Sequence, residues 1–299
     1  MDKISEVKAK KSLGQHFLIN KKALLTVVES LAVTADETII EIGAGHGELT
    51  DLLIISPAKK IIAVEKDHEL AELLKEKYRS VGTTKDTEGR ITVVEGDALK
   101  DLTPIIAALE NQYVLAGNIP YYITGYLLRI IGDLKRKPLR TILTIQKEVA
   151  ERICVTVPRM NPVRGKTRTV SAASNGMNRL AACVQIWSDP KIVMKLKPND
   201  FNPPPTIDSA IIAIETKKDL SVGEALKNYY ETVGILFQQP RKTILNNLAD
   251  GFNKLTVNGS VMNKEKALAL LKEAGLEGTE RPENLTIELI KIISNLTHS

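Results

Sequence analysis

Residues 39–47 read Ile39-Ile40-Glu41-Ile42-Gly43-Ala44-Gly45-His46-Gly47, and this stretch decides the fold. An Ile-rich apolar run broken by a single acid has the pattern of a strand buried on both faces. Three alternating glycines follow it, and an amphipathic stretch opens at Glu48. Glycine lets the backbone turn tightly at such a point and approach a ligand with no Cβ in the way. The dinucleotide fingerprint G-x-G-x-x-G requires glycine at position 48, where this chain has Glu48, so the turn points to a different nucleoside ligand.

Outward from that turn, Ile- and Val-rich runs predict strands at 38–42, 60–65, 91–95, 113–117, 141–144, 182–187 and 209–214. Amphipathic stretches predict helices at 21–32, 48–54, 67–78 and 124–134. Strand–helix alternation at this spacing builds a parallel α/β sheet with right-handed crossovers. The last two runs are joined through a proline-rich link with no long helix, which predicts an antiparallel addition at one edge. Beyond residue 218 the apolar spacing becomes i, i+3, i+4 over 222–237, 241–248, 264–274 and 282–296, the mark of a small helical second domain. Pro282 followed by Glu283 suits a first helical turn. The expected division is a basic arm at 1–22, a catalytic domain at 23–217 and an all-helical domain at 218–299. Met160-Asn161 recurs as Met177-Asn178, and the Gly-, Ser- and Thr-containing segment 161–177 is expected to be a loop insertion.

With 299 residues, 43% hydrophobic and 26% charged, the chain can bury a substantial core, which excludes disorder as its dominant state. It has no apolar run of about 18 residues, so no membrane span is expected. The lysine-dotted N-terminus lacks a following apolar segment and does not read as a secretory signal. Two cysteines, Cys154 and Cys183, are too few for a disulfide framework; a cytoplasmic protein with reduced thiols is expected. The net charge of +5 is unevenly spread. Residues 1–22 carry six lysines against Asp2 and Glu6, and residues 159–179 carry Arg159, Arg164, Lys166, Arg168 and Arg179 with no acid. Two basic segments on an otherwise mildly acidic globule suit either phosphate contacts or plain solvation.

Three further strand ends carry chemistry. Glu65 closes Ile62-Ala63-Val64-Glu65, about 20 residues after the glycines, where an acid can accept both hydroxyls of a ribose. Asp97 follows Val93-Val94-Glu95-Gly96, where a carboxylate can accept an exocyclic amine. Taken singly, each acid is more often a solvated strand-end residue or a helix cap; together they mark the carboxyl edge of one sheet, where ligands of such folds bind. Next comes Leu115-Ala116-Gly117-Asn118-Ile119-Pro120-Tyr121-Tyr122. The exocyclic amine of a base is a poor nucleophile because its lone pair is delocalised into the ring. The Asn118 amide oxygen and a backbone carbonyl held by Pro120 can grip its N–H groups, draw the nitrogen towards pyramidal geometry and free the lone pair for an electrophilic methyl. Tyr121 can stack on the base and favour the positive charge that develops. His16, His46, His68 and His298 show no paired ligand spacing, so no metal is expected.

These motifs, with Lys11-Ser12-Leu13-Gly14-Gln15-His16-Phe17-Leu18, Gln146–Ala150, Phe201-Asn202-Pro203-Pro204-Pro205 through Asp208-Ser209, and Arg241-Lys242-Thr243 with Asn246-Asn247-Leu248, closely resemble the small-subunit (16S) ribosomal RNA adenine N6,N6-dimethyltransferase family over nearly the whole chain. The resemblance implies a Rossmann-like S-adenosylmethionine-dependent methyltransferase sheet and S-adenosylmethionine as methyl donor. It implies that His16 and Leu18 flank the cofactor, Gly43 holds its methionine part, Glu65 its ribose and Asp97 its adenine, with Gly45 also cofactor-binding. Asn118 is implied in both cofactor and target sites, with Pro120 and Tyr121 in the catalytic turn and Phe201 closing on the flipped base opposite Tyr121. The implied reaction methylates two adjacent adenosines in the 3′-terminal hairpin of small-subunit rRNA within a pre-30S-like particle, by a monomeric enzyme. Two other readings stand beside it: a large-subunit rRNA adenine methyltransferase of macrolide-resistance type, and a non-catalytic RNA-binding assembly or transcription factor on the same fold.

Overall fold

A computed structural model describes residues 9–79, 89–157, 176–219, 223–252, 256–257, 260–261 and 263–298. Residues 158–175, which contain most of the expected insertion and of the second basic segment, lie outside the described residues, as does Lys8. A seven-stranded sheet is formed by β1 (Thr38–Ile42), β2 (Lys60–Glu65), β3 (Ile91–Glu95), β4 (Tyr113–Asn118), β5 (Arg140–Gln146), β6 (Ser188–Leu196) and β7 (Ser209–Thr216), in the spatial order β3-β2-β1-β4-β5-β7-β6. The first five strands are parallel; β7 runs antiparallel to both β5 and β6, the edge addition expected from the proline-rich link. β1 is buried at every residue, Glu41 included, as a central strand covered on both faces requires.

The helices following the strands are α1 (Lys21–Leu31), preceding β1, α2 (Glu48–Ile54), α3 (His68–Tyr78), α4 (Ala98–Ala107), α5 (Thr124–Asp133) and α6 (Lys147–Ile153). α1 shows how the sequence sets them: Asn20 caps it by accepting from the Ala23 N–H at 3.1 Å, and Ala23, Leu24, Val27 and Leu31 form its buried stripe. Those side chains join Ile39, Leu53, Ile61, Val114 and Ile142 in the core. Burial of each Leu or Ile contributes about 1.5–3 kcal/mol.

One strand was expected in the wrong place. Residues 179–185 form a helix, α7 (Arg179–Gln185), capped by the Asn178 side chain on the Ala181 N–H, and the strand starts only at Ser188. The run 182–187 is apolar because α7 buries Ala181, Ala182 and Val184, whereas the true strand is disguised by Pro190, Lys191 and Lys195. β6 is an edge strand with alternating burial, the position where proline and lysine are tolerated and discourage further pairing.

The chain divides into two compact units, Met1–Ala150 with Ser188–Thr216, and Glu151–Trp187 with Lys217–Ser299. Residues 151–187 therefore group with the helical unit instead of the sheet unit, while the boundary expected after 217 falls at Lys217. The second unit contains α7, α8 (Glu224–Leu236), α9 (Ile244–Phe252), α10 (Lys264–Glu273) and α11 (Ile287–His298), with a two-stranded ribbon, Thr256–Val257 against Ser260–Val261, between α9 and α10. The Tyr229 hydroxyl on α8 donates to the Ala182 carbonyl on α7. No disulfide joins Cys154 and Cys183, and no helix among the described residues is long and apolar enough to cross a membrane.

Candidate active site

The sheet order reverses between β1 and β4: one βαβ series runs out through β2 and β3, the other through β5. A crevice opens at such a switch point beyond the carboxyl ends of the strands. Here it is a cleft of about 790 Å³, counting the part open to solvent. It is lined by Gly43 and Gly45 after β1, Glu65 and Lys66 at the end of β2, Asp97 after β3, Asn118, Pro120 and Tyr121 after β4, and His16 and Phe17 from the N-terminal segment.

Glu65 is buried, and both its carboxylate oxygens hold the local backbone: Oε2 accepts from the Gly45 N–H and Oε1 from the Asp67 N–H, each at 2.8 Å. Burial pushes its pKa up, and those N–H bonds oppose the rise. Gly45 sits at φ +60°, and a Cβ there would lie 2.9 Å from Phe17 Cδ1. Beneath the turn, Glu41 is fully buried with the Thr50 hydroxyl donating to it at 2.6 Å, and burial pushes its carboxyl up to about 8. Asp97 caps α4 through the Leu99 N–H at 3.0 Å and pairs with Lys66 at 2.9 Å. Partial burial would raise its pKa, but the Lys66 ammonium and the cap bond bring it below the usual carboxylate value.

Residues 10–20 cross this edge and are tied down at several points. Lys10 Nζ meets Asp67 at 2.7 Å and Gln15 Nε2 donates to the same carboxylate at 3.3 Å. His16 Nδ1 donates to the Pro203 carbonyl at 2.8 Å, and Ile19 and Asn20 donate their backbone N–H groups to the Asp200 carbonyl. Lys10, expected from its charge to be available to RNA phosphate, is thus engaged in an internal ion pair. The Asn118 amide NH2 donates to the His16 carbonyl at 2.7 Å. A carbonyl oxygen can only accept, so this bond fixes the amide orientation and leaves Oδ1 as the atom with which Asn118 can accept from a ligand. The Tyr121 hydroxyl shares a 2.6 Å hydrogen bond with Ser209, and its ring lies 19° from parallel to that of His16, with centroids 6.1 Å apart.

Of the residues singled out from sequence, His16, Gly43, Gly45, Glu65, Asp97, Asn118, Pro120 and Tyr121 are brought together in the cleft. Leu18 and Phe201 are not. They pair across a short antiparallel ribbon, Phe17–Leu18 against Phe201–Asn202, and cross-strand partners share a face. That face is the core, where Leu18 and Phe201 pack with Leu24 and Ile211, so the ring near-parallel to Tyr121 belongs to His16. Alternation along the ribbon places Phe17 in the cleft instead. Phe17, Lys66, Asp67 and Ser209 were missed; Phe17 and Ser209 lie inside quoted motifs and Lys66 adjoins Glu65, whereas Asp67 carried no motif signal and is revealed only by its bonds to Lys10 and Gln15.

A doubly wound sheet with a glycine turn, two strand-end acids and an Asn-x-Pro-Tyr turn around one crevice is that of a Rossmann-like methyltransferase. The solved structures agree in fold: a dimethyladenosine transferase from Plasmodium falciparum superposes with a TM-score of 0.70 at 24% identity, covering 93% of this chain and 96% of that one. The 23S rRNA methyltransferase ErmE superposes at 0.65 and 22% identity, covering 95% and 100%. The profile of the family described as ribosomal RNA adenine dimethylase matches residues 6–280, and the chain belongs to that family. It is 33% identical to the ribosomal RNA small subunit methyltransferase A of Lactobacillus helveticus over 97% of this chain and 92% of that one. With the protein of the same name from Oceanobacillus iheyensis it shares 34% identity over 96% and 89%.

Proposed function

We propose that this protein transfers methyl groups from S-adenosylmethionine to N6 of two adjacent adenosines in the 3′-terminal hairpin loop of small-subunit rRNA, forming N6,N6-dimethyladenosine during ribosome biogenesis. The observation that carries the reading is the Asn118 amide held by the His16 carbonyl in a cleft that also contains Glu65 and Asp97. The cleft's donor set fits the cofactor: Glu65 for ribose hydroxyls, Asp97 for the adenine amine, and a turn at Gly43–Gly45 with no room for a Cβ beside Phe17. Bound there, S-adenosylmethionine supplies an electrophilic methyl on a sulfonium.

The residues of the chain supply the rest. Asn118 Oδ1 and a backbone carbonyl held by Pro120 accept from the two N–H groups of the target amine, so that its lone pair leaves conjugation and faces the methyl carbon. Tyr121 holds the base by its ring, with the phenol anchored to Ser209. No strong general base is required, because the amine becomes acidic as it is alkylated and can lose its proton to solvent. Extruding a loop adenine costs little, since it is already weakly stacked. The small-subunit names of the relatives favour this substrate over large-subunit rRNA, and the intact Asn118–Tyr121 turn favours an enzyme over a non-catalytic factor.

Undermethylated small subunits are incubated with methyl-labelled S-adenosylmethionine and the rRNA is digested to nucleosides. The expected product is labelled N6,N6-dimethyladenosine. Asn118→Ala is expected to lower the rate by about 100-fold or more, the scale of losing one oriented transition-state contact. Label in large-subunit rRNA alone, or none with wild-type protein, overturns the proposal.

A further inference from the structure

α5 has two faces. Thr124, Leu127, Leu128, Ile131 and Gly132 are buried, and the opposite face carries Gly125, Tyr126, Arg129 and Asp133. Tyr122, in the 3-10 turn Tyr121–Ile123 that leads into α5, falls one turn before Tyr126. Tyr122 is 58% and Tyr126 70% exposed, and among the described residues they are the only aromatic side chains among the exposed large hydrophobic ones. An exposed tyrosine ring loses apolar burial for nothing unless something stacks on it, and this chain is only 4% aromatic.

Tyr122 lines the cleft, so the pair begins at the active-site mouth and leads away from it. At 1.5 Å per residue the two positions are about 6 Å apart along the helix axis, under two base steps of a stacked strand at about 3.4 Å each. Arg129 continues the face with its side chain 81% exposed; its contact with Asp133 is 3.9 Å between two exposed groups, which contributes little and leaves the guanidinium available. Gly125 sits beside the rings. In a helix glycine costs about 1 kcal/mol relative to alanine, yet a Cβ here would meet nothing within 4 Å, so no internal packing demands it. Its presence keeps the surface next to Tyr126 open.

We infer that the Tyr122–Tyr126–Arg129 face is a docking track for single-stranded RNA: nucleotides next to the target adenosine stack on the two rings, and Arg129, about one turn beyond Tyr126, meets a phosphate on the far side of the second ring. The inference rests on the rRNA adenine reading and adds to it where the strand runs on leaving the cleft. Aromatic rings take any base on their faces, and the cation holds the backbone, so the track sets strand path instead of sequence.

The test uses the full chain and a fluorescent RNA hairpin with the sequence of the small-subunit 3′ end. Tyr126 is exposed, so Tyr126→Ala leaves the fold intact; it is expected to raise the hairpin Kd about 5- to 10-fold. Tyr126→Trp is expected to bind at least as tightly as wild type, and Tyr126→Leu as weakly as Tyr126→Ala, which separates ring stacking from apolar contact. Arg129→Ala is expected to flatten the slope of log Kd against log salt by about one phosphate contact. S-adenosylmethionine affinity by calorimetry stays unchanged in all four variants. Wild-type hairpin binding by Tyr126→Ala overturns the inference, and so does a loss seen only with assembled subunits, which assigns the face to a ribosomal protein. If wild-type protein methylates no rRNA, the functional reading itself fails; an active wild type with an indifferent Tyr126→Ala removes the track alone.

Discussion

Gly45→Ala tests the glycine turn with a cost that can be worked from the structure. The residue sits at φ +60°, a conformation costing an L-residue about 1–2 kcal/mol. The added Cβ would lie 2.9 Å from Phe17 Cδ1 and 3.0 Å from Cε1, against about 3.5–4.0 Å for a relaxed carbon contact. The Phe17 ring has little freedom to retreat, because it is buried and stands 3.9 Å, centroid to centroid, from the His46 ring. Strain and crowding together come to about 2–4 kcal/mol, in the range of overpacking plus a disfavoured backbone. That cost must appear somewhere. If the turn keeps its shape, the folded state carries the strain and the melting temperature falls by about 2–4 °C per kcal/mol for a unit of this size. If the turn relaxes in the free protein, ligand binding must restore it, and S-adenosylmethionine affinity falls by about 30-fold or more. Calorimetric titration and thermal denaturation on the same samples measure both channels. A variant matching wild type in melting temperature and cofactor affinity alike would falsify the close approach of Phe17 to the turn.

The ties of the N-terminal segment and the buried Glu41 supply two further tests. Asp67→Asn removes the carboxylate that holds Lys10 and Gln15, and loosening the segment shifts the His16 carbonyl that orients Asn118; methyl transfer is expected to slow about tenfold, with faster amide hydrogen exchange at 15–18, and unchanged exchange there refutes the coupling. Glu41 carries a folded pKa of about 8 against an ordinary value of 4.5, so its contribution to stability is present below about pH 4.5 and is lost as pH rises towards about 8. Glu41→Gln, which cannot ionise, is therefore expected to gain melting temperature relative to wild type between about pH 5 and about pH 9, and a constant difference across that span counts against a neutral buried carboxyl.

The sequence was most legible where local and global demands agree. β1, β2 and β3 lie where their Ile- and Val-rich runs placed them: β1 and β2 are central and almost wholly buried, β3 is an edge strand with no fully buried residue whose β-branched residues still mark it, and the glycines mark the turn after β1. It was least legible at β6, where an edge strand tolerates Pro190 and two lysines and so resembles a loop, while the apolar run before it belongs to α7. α4 was hidden for a related reason: Pro104 interrupts its pattern, though Asp97 caps it in plain view. Leu18 and Phe201 show a different limit. The family resemblance assigned them to the cleft, but a one-residue change in ribbon register decides between cleft and core, and matching motifs do not carry register.

At Asp97 the helix-cap reading and the functional one describe the same atoms, whereas Glu65 is neither solvated nor a cap but holds two backbone amides from a buried position. Asp97 is a helix cap and lines the cleft; Glu65 clamps two backbone amides and lines the cleft; Asn118 bonds a backbone carbonyl and keeps its oxygen for a ligand. A carboxylate has about four lone-pair sites and an amide has separate donor and acceptor ends, so one side chain can hold the scaffold and still offer an acceptor outward. The arrangement leaves buried Glu65 and half-buried Asp97 with partners before any ligand arrives, which lowers the desolvation penalty of keeping them there. It also fixes their acceptors in direction, since each side chain is already pinned by a backbone contact at 2.7–3.0 Å. A cleft assembled this way is preorganised by the same bonds that fold it, and variants such as Glu65→Gln should therefore lose turn geometry and cofactor affinity together instead of one without the other.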